Sequence, residues 1–312
     1  MKLDSTILIT GGGGVLGDGL KKALALRGYT NIYSPKRDEM DALDINSTNN
    51  YFVNIKPDYV FHLASLVYGL KGNLDNQFKS LTTNTLINQN VLQSCKDAQV
   101  KKIFFAGTVA SYSYPFVKLP LSEGDFLIGD PHDGEYGYAM AKRHALSYLK
   151  IMKKYHGIDY CYGLFTNLFG TNDKFDKVNG HVIPSLIEKA YSAISDGSKI
   201  LKVWGNPNTS RDFLFNLDAG LFAIDAMSHF SGVINIASGV ETKMKDVVDY
   251  INKSFNNELD IQWEPNAPIG IPNRSVNITL LNEFKTDFEF NLERSIAETI
   301  SWYKNNLNGI RK

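Results

Sequence analysis

The sequence carries two cysteines in 312 residues, Cys95 and Cys161, with no metal-ligand spacing around either. That excludes a disulfide framework and fits a reducing compartment. Net charge is absent, since 33 basic side chains match 33 acidic ones. Without a basic excess there is no electrostatic footprint for a polyanion, so no nucleic-acid partner is expected. No apolar run approaches the roughly 20 residues that a membrane-spanning helix takes, so no membrane partner is expected either. Met1-Lys2-Leu3-Asp4 runs straight into an apolar stretch, which leaves no room for a signal peptide. A cytoplasmic protein is the expectation. Internal repeats and low-complexity tracts are missing too. What is left is a chain long enough to bury a large core, as one big domain or two unequal ones.

What is present is organised around Thr10-Gly11-Gly12-Gly13-Gly14-Val15-Leu16-Gly17. Ile7-Leu8-Ile9 before it reads as a buried strand. Leu16, Leu20 and Leu24 after it share one face of a helix ending near Gly28. Strand, glycine turn and helix form the context of a dinucleotide-binding loop. Gly11 allows the tight turn, Gly14 lets backbone approach a pyrophosphate, and Gly17 permits close packing. Val15 and Leu16 open the helix, whose unpaired N–H groups face the phosphates.

Asn31 to Ser34 reads as the second strand, followed by Pro35-Lys36-Arg37. An NAD site has an acidic residue there; Lys36 and Arg37 suit a 2′-phosphate instead, so NADPH is the expected cofactor. Asp44 is expected to line the adenine. Tyr59 to Ser65 reads as a buried strand that brings Leu63, Ala64 and Ser65 against the cofactor, with His62 a structural histidine. A helix from Asp75 to Ala98 carries Asn84, expected toward the cofactor, and Asn88. Lys101 to Thr108 is the next strand and ends in a hydroxyl. A long polar loop to Glu135 follows, and loops of that length in compact domains are usually functional.

Tyr138 and Lys142 then share one face of a helix running to about Tyr155. An ammonium beside a phenol lowers the phenol's pKa, which predicts a proton donor tuned toward neutral pH. Glycine loop, Thr108 and Tyr138/Lys142 occur in a fixed order, and together they resemble the extended short-chain dehydrogenase/reductases. Downstream, Leu164 to Gly170, His181-Val182-Ile183-Pro184, Val203-Trp204-Gly205 and Ser210-Arg211-Asp212-Phe213 are similar to GDP-L-fucose synthase, as is Lys36-Arg37-Asp38-Glu39. The similarity covers nearly the whole chain. It implies a doubly wound parallel α/β sheet with a smaller nucleotide-sugar-binding lobe. The expected boundaries are 1–170 plus about 205–230 for the cofactor domain, and 171–204 plus about 231–312 for the lobe.

The resemblance also implies roles. Thr108, Tyr138 and Lys142 would be the reductase residues, with Asn167 and Phe169 near nicotinamide and sugar. His181 would match the family's epimerisation acid/base, with Val182 beside it. Lys189, Trp204 and Arg211 would contact the GDP moiety. Arg274 stands where the family usually has lysine, and Ile269 where aspartate is common. A GDP-sugar substrate and a homodimer, paired through the helices 75–98 and 138–155, are further implications.

One departure decides the expected reaction. The family has Ser-x-Cys after the Thr108 position, and this chain has Val109-Ala110. Inverting a carbon beside a ketone takes one group to remove a proton and another to return it. Ala110 has no proton to give; Ser111 and Tyr112 lie near but out of register. The expectation is therefore an NADPH-dependent C4 reductase of a GDP-4-keto sugar, a 6-deoxy-hexose or a heptose, acting after a separate epimerase. Three alternatives stay open: a bifunctional GDP-L-fucose synthase, an epimerase or dehydratase with tightly bound NAD, and a dinucleotide-sensing regulator without chemistry.

Overall fold

The computed structural model describes residues 1–178, 180–264, 271, 273–285 and 291–311. The chain begins with β1 (Ile7–Thr10), α1 (Val15–Leu26), β2 (Ile32–Tyr33), α2 (Ile45–Ile55) and β3 (Tyr59–His62). Next come α3 (Leu70–Asp75), α4 (Gln77–Asp97), β4 (Lys102–Thr108), α5 (Tyr136–His156), β5 (Asp159–Phe165) and β6 (Asn167–Phe169). There follow α6 (Val182–Ser195), β7 (Ile200–Trp204), β8 (Ser210–Phe215), α7 (Asn216–His229) and β9 (Gly232–Ile236). The chain closes with β10 (Glu241–Lys243), α8 (Met244–Ser254), β11 (Asp260–Glu264), α9 (Thr279–Asn282) and α10 (Leu292–Asn305).

Six strands form one parallel sheet in the order β2-β1-β3-β4-β5-β9. Strands such as Ile7–Thr10 are buried throughout, as a sheet covered on both faces requires. One face packs Val91, Leu92, Ala145 and Leu149 of α4 and α5; the other packs Leu20, Leu24, Phe222 and Ala223 of α1 and α7. α1 and α7 cross closely because Gly19 and Gly220 meet there: a Cβ on Gly19 would stand 1.9 Å from the Asn216 carbonyl oxygen. Strand order reverses between β1 and β3, so the crevice outside their carboxyl ends is where such a sheet takes its ligand.

The lobe has a separate core of Phe169, Phe175, Ile187, Val203, Phe213, Val248 and Ile296. It contains the small sheets β10-β8-β6 and β11-β7. The expected boundaries need correction. Residues 232–236, assigned to the lobe, are β9 and pair with β5 in the large sheet. Leu281 packs on the large sheet's core as well. Conversely β8, assigned to the cofactor domain, puts Phe213 and Phe215 into the lobe core. The chain crosses between the two units more often than its loop composition signals. Gln77–Asp97 starts two residues later than expected, because α3 precedes it, and α5 starts two residues earlier, at Tyr136.

Candidate active site

The glycine loop joins β1 to α1 in the β1–β3 crevice. Gly11 has φ +73°, and a Cβ there would lie 2.5 Å from the Ala64 amide nitrogen, so only glycine lets the loop close on the end of β3. Gly17 packs against the loop itself, 2.5 Å from Gly12 Cα to its would-be Cβ. Gly13, which the spacing rule passes over, faces open space. Gly14 is the extended residue before α1, followed by Val15 and Leu16. Lys36 and Arg37 are exposed on the turn after β2, and Arg37 lies 3.4 Å from Asp41. The Asp44 carboxylate caps α2 by accepting from the Asn46 amide at 2.9 Å.

A polar chain runs beneath the crevice. The Ala64 amide donates to Thr10 Oγ1 (3.3 Å), Thr10 Oγ1 meets His62 Nδ1 (2.7 Å), and His62 Nε2 meets Asn88 Oδ1 (3.1 Å). Asn88 Nδ2 donates to the Ala141 carbonyl at 3.2 Å. Burial holds the His62 ring neutral, down to about 3, as the structural role expected of it requires. Asn84 is engaged in the loop after β3. Its Oδ1 accepts from Ser65 Oγ (2.8 Å) and the Leu66 amide (2.7 Å), while Nδ2 donates to the Leu66 and Ser80 carbonyls. Asn84 therefore fixes Ser65 and Leu66, the residues just after Leu63-Ala64.

Lys142 is 2 % exposed, donates to the Ala106 carbonyl at 2.8 Å, and lies 5.6 Å from the Tyr138 ring centroid. The expected lowering of the phenol does not occur. Burial pushes Tyr138 up to about 12, against a hydrogen bond with Ser65, and Glu135 raises it further. Burial also brings Lys142 down to about 7. Both groups are driven toward neutrality, so the ammonium that was to stabilise a phenolate is itself disfavoured. Ser65 is the partner of Tyr138 that sequence spacing missed.

After Thr108 the chain makes a tight turn, Val109–Ser111, with the Ala110 amide donating to Thr108 Oγ1 at 3.2 Å. Ser111 Oγ donates to the Ala139 carbonyl and Tyr112 OH to Asn235 Oδ1 at 2.8 Å. Neither replaces the missing cysteine. Cys95 and Cys161 are fully buried in the two cores.

The lobe supplies the other groups. Asn167 Nδ2 donates to the Asp212 carbonyl at 3.0 Å, which fixes the start of β6. His181 and Val182 open α6, and His181 Nδ1 stands 3.6 Å from Asp173 Oδ1. Burial acts against the charged ring, but Asp173 outweighs it and raises His181 above the usual imidazole value. Lys189 Nζ lies 4.4 Å over the Trp204 ring, in a cavity of about 450 Å³ with Lys177, Lys202 and Glu264. Arg211 and Arg274 do not line that cavity. Burial and the neighbouring Arg274 bring Arg211 down to about 10. Arg274 Nη2 in turn donates to Glu135 Oε2 at 2.8 Å, one turn before Tyr138. Asp173 and Glu135 were missed because each is eight or more positions from its partner. Ile269 lies outside the described residues.

The fold agrees with comparison to known proteins. A family model described as NAD dependent epimerase/dehydratase matches residues 7–256. The chain belongs to the NAD dependent epimerase/dehydratase family. Among relatives in this family, it is 27% identical over 306 residues to the GDP-L-colitose synthase of Yersinia pseudotuberculosis, covering 97% of this chain and 99% of that one. A GDP-L-fucose synthetase from Naegleria fowleri bound to NADP superposes with TM-score 0.90 at 25% identity, covering 100% and 96%. A GDP-mannoheptose C4 reductase from Campylobacter jejuni shares the fold, with TM-score 0.87, 23% identity and coverage of 97% and 99%. The resemblance to the GDP-L-fucose synthase branch of the family thus extends along the whole chain. Among the described residues, no helix is long and apolar enough to cross a membrane.

Proposed function

We propose that the protein reduces the C4 ketone of a GDP-4-keto sugar, a 6-deoxy-hexose or a heptose, and acts after a separate C3/C5 epimerase. The cofactor is NADPH. The residues fit it: Gly13 leaves open space beside the loop, α1 begins directly after the loop with its first N–H groups free, and Lys36 and Arg37 follow β2. When bound, NADPH supplies the hydride for C4. The chain's own residues handle the oxygen and its proton. Tyr138 protonates the developing alkoxide, and a phenol raised to about 12 is held as a donor at neutral pH. Thr108 hydrogen-bonds the same oxygen, and Lys142 holds the ribose side of the site. Lys189 and Trp204 take the nucleotide, while Arg211 and Arg274 serve its diphosphate.

The observation that carries this reading is Ala110, 5 % exposed in the turn after Thr108, where epimerisation needs a proton-bearing side chain. In deuterated water, with NADPH and GDP-4-keto-6-deoxy-mannose, the product should carry no deuterium at C3 or C5 by NMR. Ala110→Cys should introduce exchange. Rapid uptake at both carbons by the native protein would overturn the reading. It would favour the bifunctional GDP-L-fucose synthase, with His181 working through water. Asp173 behind His181 is the feature that speaks for that second reading.

A further inference from the structure

The described residues before α6, 171–178 and 180–181, are anchored at several points. Phe175 is fully buried against Trp302 and Tyr303, and its amide donates to the Arg311 carbonyl at 2.9 Å. The Gly180 amide returns to the Asp176 carbonyl, and Ser185 Oγ of α6 donates to the Lys177 carbonyl. This framework sets two side chains facing each other. Asp173 is 2 % exposed; its Oδ1 accepts from the Lys174 amide at 2.7 Å, and its Oδ2 is buried with no partner. His181 Nδ1 is likewise buried without a hydrogen bond, 3.6 Å from Asp173 Oδ1. The rest of the imidazole is open, since the side chain as a whole is 42% exposed.

We infer that Asp173 and His181 form a dyad in which the carboxylate holds the imidazole with Nδ1 turned inward and Nε2 presented to the sugar. Asp173 is the positioning residue, and His181 is the group that meets substrate. A separation of 3.6 Å is an ion pair and not yet a hydrogen bond. A shift of a few tenths of an ångström closes it. A carboxylate behind one ring nitrogen fixes both the tautomer and the orientation of the other. The charged groups that act on the ring are Asp173, which favours its protonated form, and Arg311 and Lys174, which oppose it. With the carboxylate closest, the protonated ring presents Nε2–H as a hydrogen-bond donor to a sugar oxygen, and Asp173 extends that form toward higher pH. Ala110 leaves no second group for carbon-acid chemistry, so a donor is what this site can use. The dyad deepens the C4-reductase reading and rests on it only for what Nε2 touches.

The test is long-range ¹H–¹⁵N NMR of the uniformly labelled protein without substrate, with His181→Asn used to assign the ring. Native His181 should titrate above about 6.5 and carry its proton on Nδ1 as the ring deprotonates. Asp173→Asn, which keeps shape and removes charge, should lower that titration by about one unit or more. A native His181 titrating at or below the ordinary value overturns the dyad, even if Asp173→Asn does not fold. An unchanged titration in a folded Asp173→Asn overturns it as well. Steady-state assays form the second arm. Asp173→Asn should raise KM for the GDP-keto sugar more at pH 7 than at pH 5.5, a pH dependence that loss of packing alone would not give. Absence of turnover with every GDP-keto sugar would reject the reductase reading and leave the titration to decide the dyad.

Discussion

Arg274 and Glu135 are joined at 2.8 Å across 139 positions of sequence, and the contact ties the segment after β11 to the first turn of the helix that carries Tyr138. Both side chains are largely covered, at 12% and 24% exposed. The guanidinium lies 5.9 Å over the Phe116 ring and next to Arg211. Glu135 thus offsets the repulsion between two half-buried cations, which are proposed to meet the substrate's diphosphate. Arg274→Ala should raise KM for the GDP-sugar with kcat little changed. A hydrogen bond to a charged group contributes about 1.5–3 kcal/mol, or roughly 10–100-fold. An unchanged KM in steady-state assays would remove Arg274 from substrate binding.

Lys36 and Arg37, both exposed beyond β2, are proposed to set the cofactor choice. Replacing the two by alanine should raise KM for NADPH by more than for NADH, because only NADPH brings a 2′-phosphate to that turn. Equal use of NADH and NADPH by the native protein would contradict the assignment.

Tyr138→Phe keeps the ring and removes the proton. The rate constant kcat should fall by roughly 10²–10⁴-fold, with nucleotide binding retained. Near-native turnover in stopped-flow or steady-state assays would take Tyr138 out of the mechanism.

Lys142 gives a stability signature. Its folded-state pKa is depressed to about 7 from a usual 10.5. Between those values the unfolded chain binds more protons than the folded one, so this residue makes stability rise as pH increases from 7 toward 10. Denaturant unfolding of Lys142→Met should lack that rise. Parallel curves for the two proteins over this range would show that Lys142 is not held near neutrality.

A homodimer is proposed through α4 and α5. Phe78 (80%) and Leu86 (43%) stand exposed on α4, and Ile151 (52%) and Tyr155 (66%) on α5, so both helices present apolar side chains away from their own core. Two-fold pairing of such faces is the commonest symmetric contact. Light scattering at micromolar concentration should give the dimer mass, and Phe78→Asp with Ile151→Asp should give a monomer. A monomeric native protein would sink the proposal.

The large sheet and its crevice were legible because their signals are local. Ile7-Leu8-Ile9, the glycines and Leu16/Leu20/Leu24 each announce their element within a few residues, and Tyr138 and Lys142 meet by helical spacing alone. The rest depends on partners far apart. Asp173 faces His181 eight positions on, and Glu135 finds Arg274 across 139 positions. The direction of the Tyr138 shift was misjudged for a related reason. Adjacency of charge can be read from spacing, but the depth at which both groups are buried cannot. The lobe boundary was misplaced because β9, with Val233-Ile234-Asn235-Ile236, reads as an ordinary strand with nothing to name its neighbour.

That late strand bears on the order of synthesis. β5 (residues 159–165) keeps an unpaired edge until residues 232–236 emerge, after α6, β7 and β8 have already been made. The nascent cofactor domain therefore waits with an open, apolar strand edge while lobe segments are translated. Such an edge is the surface on which unfinished chains aggregate. Fragments ending before 231 would retain every residue assigned to the reductase step and still be poor candidates for expression. Fragments ending after 236 close the sheet.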